Sequence, residues 1–240
     1  MKIILVGYGK MGRIIEETAL ERGHEIVGRI DLDNASDLDA SIADIADVAI
    51  EFTGPHSAFD NVMKCLSLGI PVVCGSTGWL DRYDEVATFC RQQHGSLLYA
   101  SNFSVGVNIF FEINKTLARL MAAHPGYDVS IKEIHHTQKK DAPSGTAISL
   151  AEQVLRSVPG KENWVSDSTG NPSNLLIESE RIDPYPGLHT VRYSSPIDEI
   201  RITHEAHSRN GFALGAVLAA AFIKEKTGVF SMRDVLGIGD

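Results

Sequence analysis

Short apolar runs alternate with amphipathic stretches through the first hundred residues. Ile3-Ile4-Leu5-Val6 is an unbroken apolar run of strand length, the pattern of a strand buried on both faces. Beyond it, apolar residues recur at helical spacing until Gly23, and a second strand is predicted over Glu25 to Ile30, stopping at Asp31. The rhythm then repeats. A strand over Asp47 to Phe52 precedes a helix over residues 56–68, and a strand over Val72 to Cys74 precedes a helix over 81–93. A strand over Leu97 to Tyr99 leaves through Ala100 to Phe103. Strands alternating with helices predict a parallel sheet joined by right-handed crossovers.

The texture changes after Asn102. A long helix over 107–122 carries Ile109, Ile113, Leu117 and Leu120 at helical spacing and stops before Pro125-Gly126. The next stretch alternates: Val129, Ile131, Glu133 and His135 share one strand face, with Lys132, Ile134 and His136 on the other. A helix is predicted over 144–155, then strands over 175–182, 189–194 and 198–204. Successive strands without helices between them predict a mostly antiparallel open sheet. The segment 159–173 is rich in Ser, Asn and Gly and reads as a flexible connection. An apolar helix over 211–224 is expected to return to the first domain.

Composition narrows the function classes. The chain has 240 residues, with 22 Lys and Arg against 31 Asp and Glu, for a net charge of −9. That balance argues against nucleic acid as a general partner, so any attraction for an anionic ligand must be local. The run Phe212 to Ile223 is too short and too rich in alanine to span a bilayer, and no membrane partner is expected. Cys65, Cys74 and Cys90 are odd in number and lack CxxC spacing, which reads as reduced thiols in a cytoplasmic protein. Met1 runs straight into the first strand and leaves no room for a signal peptide.

Gly7-Tyr8-Gly9-Lys10-Met11-Gly12 is a GxGxxG that follows a strand, opens a helix and is followed about twenty residues on by an acid, Asp31. Gly7 makes the tight turn, Gly9 lets backbone approach a pyrophosphate, and Gly12 permits close helix–strand packing. The fold class is therefore α/β: a Rossmann-type doubly wound parallel sheet, plus a smaller α+β domain. The domains are expected at 1–104 completed by 210–240, and at 105–209. Asp31 is placed to accept hydrogen bonds from ribose hydroxyls, and its charge repels a 2′-phosphate. NADH is thus the preferred cofactor, while Arg13 and Arg29 leave NADPH open. Ligands of such sheets sit at the carboxyl ends of the strands. Phe52 and Thr53, Gly75, Ser76 and Thr77, and Ala100, Ser101, Asn102 and Phe103 leave those ends and are expected to line the nicotinamide half of the site.

The segment His135 to Thr146 packs two imidazoles, two ammonium groups and a helix start into consecutive positions. Pro143 and Ser144 begin a helix well, and Gly145 and Thr146 would present unpaired N–H groups at the positive end of its dipole. That combination describes a pocket for an anionic substrate that is also handed protons. His135 and Lys139 lie four residues apart, about 13 Å in an extended chain, so the strand must bend near Thr137 for both to reach one small molecule. His204 and His207 have HxxH spacing, but on a strand they face opposite ways without a cysteine to complete a set, and no metal is expected.

With those residues in place, the chain resembles the 4-hydroxy-tetrahydrodipicolinate (dihydrodipicolinate) reductase family of lysine and diaminopimelate biosynthesis. The resemblance covers nearly the whole length. It rests on GYGKMGR at 7–13, EFTGP at 51–55, GSTGW at 75–79, ASNFSVGVN at 100–108, THEAHSR at 203–209 and above all EIHHTQKKDAPSGTA at 133–147. It implies a nucleotide domain completed by the C-terminal helix, and a central substrate domain whose sheet builds a homotetramer. By resemblance, His135 matches the proton donor/acceptor and Lys139 a second proton donor. His136, Gly145 and Thr146, beside Ser144, match residues that hold the substrate carboxylates. Gly7 to Met11, Asp31, Gly75 to Thr77 and Ala100 to Phe103 match the cofactor contacts. The glycine loop is one residue shorter than in the best-known members, no arginine follows Asp31, and the segment 181–189 loses the family's Gly-Asp pair. Two other readings stay open: another two-domain NAD-dependent dehydrogenase acting on a small amino acid, and a non-catalytic NADH-binding sensor.

Overall fold

The computed structural model describes residues 1–167 and 170–239. Ser168 and Thr169, within the connection expected over 159–173, and Asp240, at the end of the expected 210–240 segment, lie outside the described residues. The chain divides into two compact units, Met1–Val105 with Asn210–Asp240, and Gly106–Arg209.

In the first unit β1 (Lys2–Val6), α1 (Lys10–Glu21), β2 (Glu25–Ile30), α2 (Ala40–Ala43), β3 (Val48–Glu51), α3 (Ala58–Ser67), β4 (Val72–Cys74), α4 (Tyr83–Gln92) and β5 (Ser96–Tyr99) follow the predicted alternation. The short α2 and the 3-10 turn Leu32–Asp37 carry no helical periodicity and were not predicted. With a last strand, β11 (Gly228–Phe230), these strands form one parallel sheet in the order β11-β5-β4-β3-β1-β2, so the order reverses beside β1, the strand that feeds the glycine loop. Both faces are covered. One core gathers Ile3, Leu5 and Ile50 with Ala216, Val217 and Ala220, and the other gathers Ile4, Val6 and Val72 with Val62 and Val86. That explains why these strands read as unbroken apolar runs.

The apolar helix near the C-terminus, α7 (Asn210–Ile223), belongs to this unit and covers the first of these cores. A Cβ on Gly215 would stand 1.7 Å from the carbonyl oxygen of Phe103, so only glycine lets the helix settle on the loop after β5. Two elements beyond it were not predicted. The strand that completes the sheet (Gly228–Phe230, β11 in the order above) pairs with β5, and a short helix (Met232–Val235) follows.

The second unit has α5 (Val105–Met121) at its start, then β6 (Asp128–His135), α6 (Gly145–Leu155), β7 (Asn163–Val165), β8 (Asn174–Arg181), β9 (Gly187–Ser194) and β10 (Glu199–Ala206). Its five-stranded sheet runs β10-β9-β6-β8-β7. The expectation of a mostly antiparallel sheet is corrected here, because the sheet is mixed. β6 pairs antiparallel with β9 but parallel with β8, and β7 pairs parallel with β8. Helix α6 carries the chain back over the sheet before β8, and such a crossover yields a parallel pair. β7 also replaces part of the connection expected to lack regular structure.

Burial along β6 follows the predicted parity: Val129, Ile131, Glu133 and His135 are buried, and their neighbours are less so. The core beneath joins Val129, Ile131, Leu150, Val154, Ile177, Val191 and Tyr193. On α5 the buried face is Val107, Phe110, Asn114, Ala118 and Met121. The stripe read from the sequence is largely the other face: Ile109, Ile113 and Leu120 are 44%, 48% and 64% exposed. A helix apolar on two faces does not reveal in sequence which one its own unit covers.

Candidate active site

In the first unit the loops after β1, β3, β4 and β5 leave one edge of the sheet. Gly7 N–H donates to the last carbonyl of β2, Phe52 N–H to that of β1, Gly75 N–H to that of β3 and Ala100 N–H to that of β4. Every predicted cofactor contact therefore lies along this carboxyl edge, Asp31 included. Gly7 has φ +96°, and a Cβ there would meet the Phe52 carbonyl oxygen at 2.4 Å. A Cβ on Gly12 would lie 2.2 Å from the Gly7 carbonyl oxygen, which fixes the helix close under the loop. A Cβ on Gly9 would meet no described atom within 4 Å outside its own stretch of chain. Gly9 caps α1 without a side-chain hydrogen bond, and the first turn holds no acid. An open glycine at the positive end of a twelve-residue helix fits a diphosphate.

Asp31 is exposed at the end of β2 and caps the following turn, its carboxylate accepting from Leu32 N–H at 2.9 Å. Arg29 is held by Glu16, which also accepts from Tyr8. The Arg13 and Arg29 guanidinium carbons lie 5.1 and 5.7 Å from the centroid of the Tyr8 ring. Glu51, the first residue of the EFTGP stretch, is fully buried and accepts from Thr53 N–H at 2.9 Å. The Cys74 thiol donates to it at 3.0 Å. Phe52 packs on Phe103 with ring centroids 5.6 Å apart and fills the space a Cβ on Gly75 would need.

In the second unit the polar groups converge on one carboxylate that the sequence reading had not singled out. Glu133 is 0% exposed. Its Oε1 accepts from the Ser144 amide and from Arg181 Nη2, each at 3.1 Å. Its Oε2 lies 3.3 Å from His135 Nδ1 and 3.7 Å from His189 Nε2, within ion-pair range but off hydrogen-bond alignment. Burial alone would raise this carboxyl, yet His135, His189, Ser144 and Ser179 together hold it well below the usual carboxylate range. Burial pushes His189 below the ordinary imidazole value, against the pull of Glu133.

The bend required between His135 and Lys139 is present. β6 ends at His135, and Lys139 N–H donates to the His136 carbonyl at 3.1 Å, closing a turn. Arg181 fixes that turn, donating to the carbonyls of Lys139 at 3.3 Å and Asp141 at 2.6 Å. Lys139 Nζ pairs with Asp141 Oδ2 at 2.8 Å. Asp183 accepts from Thr137 N–H and Oγ1–H at 3.1 and 2.7 Å. Thus the divergent segment 181–189 buttresses the turn from both ends.

Helix α6 starts where predicted. Ser144 is buried, and its hydroxyl accepts from Ala147 N–H at 3.2 Å and lies 3.1 Å from His189 Nε2. The amides of Gly145 and Thr146 have no partner among the described residues, because the first turn of a helix has none to offer. Gly145 is exposed and Thr146 half-buried. His136, half-buried, directly follows the last residue of β6.

Among the described residues, Glu133, His135 and His189 gather with potential ligand atoms within 4.8 Å of one another. Arg181 already supplies a positive charge to that carboxylate. Glu133 was legible as a charged position in the buried register of β6, whereas nothing local to Arg181 or His189 indicated their partners.

Comparison with known proteins agrees along the whole chain. Residues 1–103 match the family described as dihydrodipicolinate reductase, N-terminus, and residues 106–236 match dihydrodipicolinate reductase, C-terminus. A 4-hydroxy-tetrahydrodipicolinate reductase of Christiangramia forsetii is 49% identical over 236 residues, covering 98% of both chains. One from Neisseria meningitidis is 32% identical over 271 aligned positions, covering 100% of this chain and 98% of the relative. Among solved structures, the dipicolinate-bound dihydrodipicolinate reductase from Paenisporosarcina sp. TG-14 shares the fold, with a TM-score of 0.77 at 23% identity over 96% of this chain and 97% of that one.

Proposed function

The chain belongs to the dihydrodipicolinate reductase family, and on that premise we propose that it reduces 4-hydroxy-tetrahydrodipicolinate to tetrahydrodipicolinate, with NAD(P)H as reductant, in lysine and diaminopimelate biosynthesis. A bound dihydronicotinamide supplies hydride; the remaining requirements fall to this chain's own residues. They must hold a doubly negative ring, protonate the leaving hydroxyl and protonate the carbon left electron-rich beside the reduced position.

The arrangement around Glu133 supports this assignment. One buried carboxylate ties together His135, the turn carrying Lys139 and the start of α6. The open amides of Gly145 and Thr146, at the positive end of α6, suit one substrate carboxylate, and His136 borders the same segment. Lys139 suits protonation of the hydroxyl, and His135 suits protonation of carbon. Lys139→Met is expected to lower turnover at least about 10²-fold while leaving NADH affinity within about threefold, because positioned acid–base groups contribute about 10²–10⁴-fold. Absorbance of the reduced nucleotide during turnover of freshly made substrate measures the first quantity, and fluorescence titration the second. Unchanged turnover, or lost nucleotide binding, overturns the role.

For the cofactor, the reading favours NADH over NADPH. Asp31 puts a carboxylate at the ribose position, and Arg29 is already held by Glu16 and Tyr8. The same assay at matched nucleotide concentrations measures the preference. Assembly as a homotetramer is proposed with it, supported by the apolar patch of Ile113, Leu117 and Leu120 on α5 with Ile200 and Ile202 on β10. Three buried, unbridged cysteines support placement in the reducing cytoplasm.

A further inference from the structure

The carboxylate of Glu133 faces two imidazoles, and the reaction as proposed uses one of them. Geometry distinguishes the pair. His135 Nδ1 stands 3.3 Å from Oε2 and His189 Nε2 stands 3.7 Å away. The rings meet edge-on, with centroids 5.0 Å apart, so a charge on one opposes a charge on the other. His189 Nε2 is also taken by Ser144 Oγ, and His204 lies opposite His189 on the neighbouring strand. No hydrogen bond engages His135 Nδ1, which leaves it open to the carboxylate charge. The outer nitrogen of His135, Nε2, borders Gly187, where a Cβ would stand 3.0 Å away.

We infer that Glu133 is the positioning residue of this active site: it assigns the shared proton to His135 rather than His189 and turns Nε2 of His135 away from the carboxylate, toward Gly187, as the donor. The inference rests on the reading of His135 as the proton donor. The charged groups around the ring are Glu133 on its own strand, His189 on β9, Arg181 on β8, and Lys139 and Asp141 on the turn. Arg181 engages the other oxygen of Glu133, which leaves Oε2 to the imidazoles. One proton leaves Nε2 for the substrate carbon in each cycle and one returns from solvent. Glu133 stays ionised throughout.

Glu133→Gln keeps the shape and removes the charge. It is expected to lower kcat about 10²-fold with KM for the substrate within about threefold, since the group acts on proton transfer and not on binding. Loss of the negative charge beside the donor is expected to move the alkaline fall of kcat to lower pH. Glu133→Asp keeps the charge and should restore the position of that fall with part of the rate. An unmoved alkaline fall in Glu133→Gln, or a loss confined to KM, overturns the inference.

Should Glu133→Gln fail to fold, NMR of the native protein with nitrogen-15-labelled histidine decides the question. A proton on His135 Nδ1, facing Glu133, is expected from its nitrogen-15 shifts, and a bare His135 Nδ1 overturns the inference. His135→Asn separates the two claims. Full turnover in that variant would end the reading of His135 as donor, whereas the proton seen at His135 Nδ1 reports on Glu133 alone.

Discussion

Gly187 shows how closely single residues are fitted here. Its missing side chain leaves room for His135 Nε2, which a Cβ would approach to 3.0 Å. Alanine at this position has to push the imidazole by a few tenths of an ångström. Because misplacement by an ångström can cost about 10²-fold, Gly187→Ala is expected to reduce kcat about tenfold while thermal stability changes little. Steady-state kinetics beside a melting curve test this, and an unchanged kcat would show that the ring has slack. Glu133 belongs to the same scale. Taking it from water is costly, and only the dense set of groups around it keeps it ionised.

At the scale of elements, α6 links packing to chemistry. Ser144 caps its first turn, satisfies the Ala147 amide and contacts His189, so the helix start and the polar cluster around Glu133 are one construction. Ser144→Ala removes a cap, at a cost of about 1 kcal/mol, and leaves His189 Nε2 short of a buried partner, at about 1–3 kcal/mol more. A fall of several degrees in the melting temperature is expected. A variant that melts with the parent protein would show that neither contact contributes. The mixed sheet follows from the same helix. α6 takes the chain across the sheet, so β8 runs parallel to β6 and brings Arg181 beside the end of β6, where it can hold the turn bearing Lys139.

For the whole molecule, titration of buried groups sets an acid limit. Glu133 is held below its free-chain value, so its contribution is complete above about pH 4.3 and drains as pH falls through the lower folded value. His189 and His204 are held below the ordinary imidazole value, each mainly by burial. Their contribution is complete above about pH 6.5 and is lost as pH falls through their folded values. All three have the same sign. The urea midpoint is therefore expected to be steady above about pH 7 and to fall in stages on acidification. A midpoint that rises between pH 7 and pH 5 would contradict these assignments.

The sequence by itself determined whatever depends on neighbours along the chain. The apolar runs of β1, β3 and β4, the glycine loop, the parity that buries Glu133 and His135 together, and the start of α6 are set by backbone geometry and by periods of two or 3.6 residues. Only the tertiary structure decided what depends on distant segments meeting. It set the parallel pairing of β6 with β8, the choice of the buried face of α5, the inward turn of Ser144 and the meeting of Arg181 and His189 at Glu133. Those contacts join positions about 10 to 60 residues apart, and no local preference encodes them, because their energy appears only once the sheet has formed.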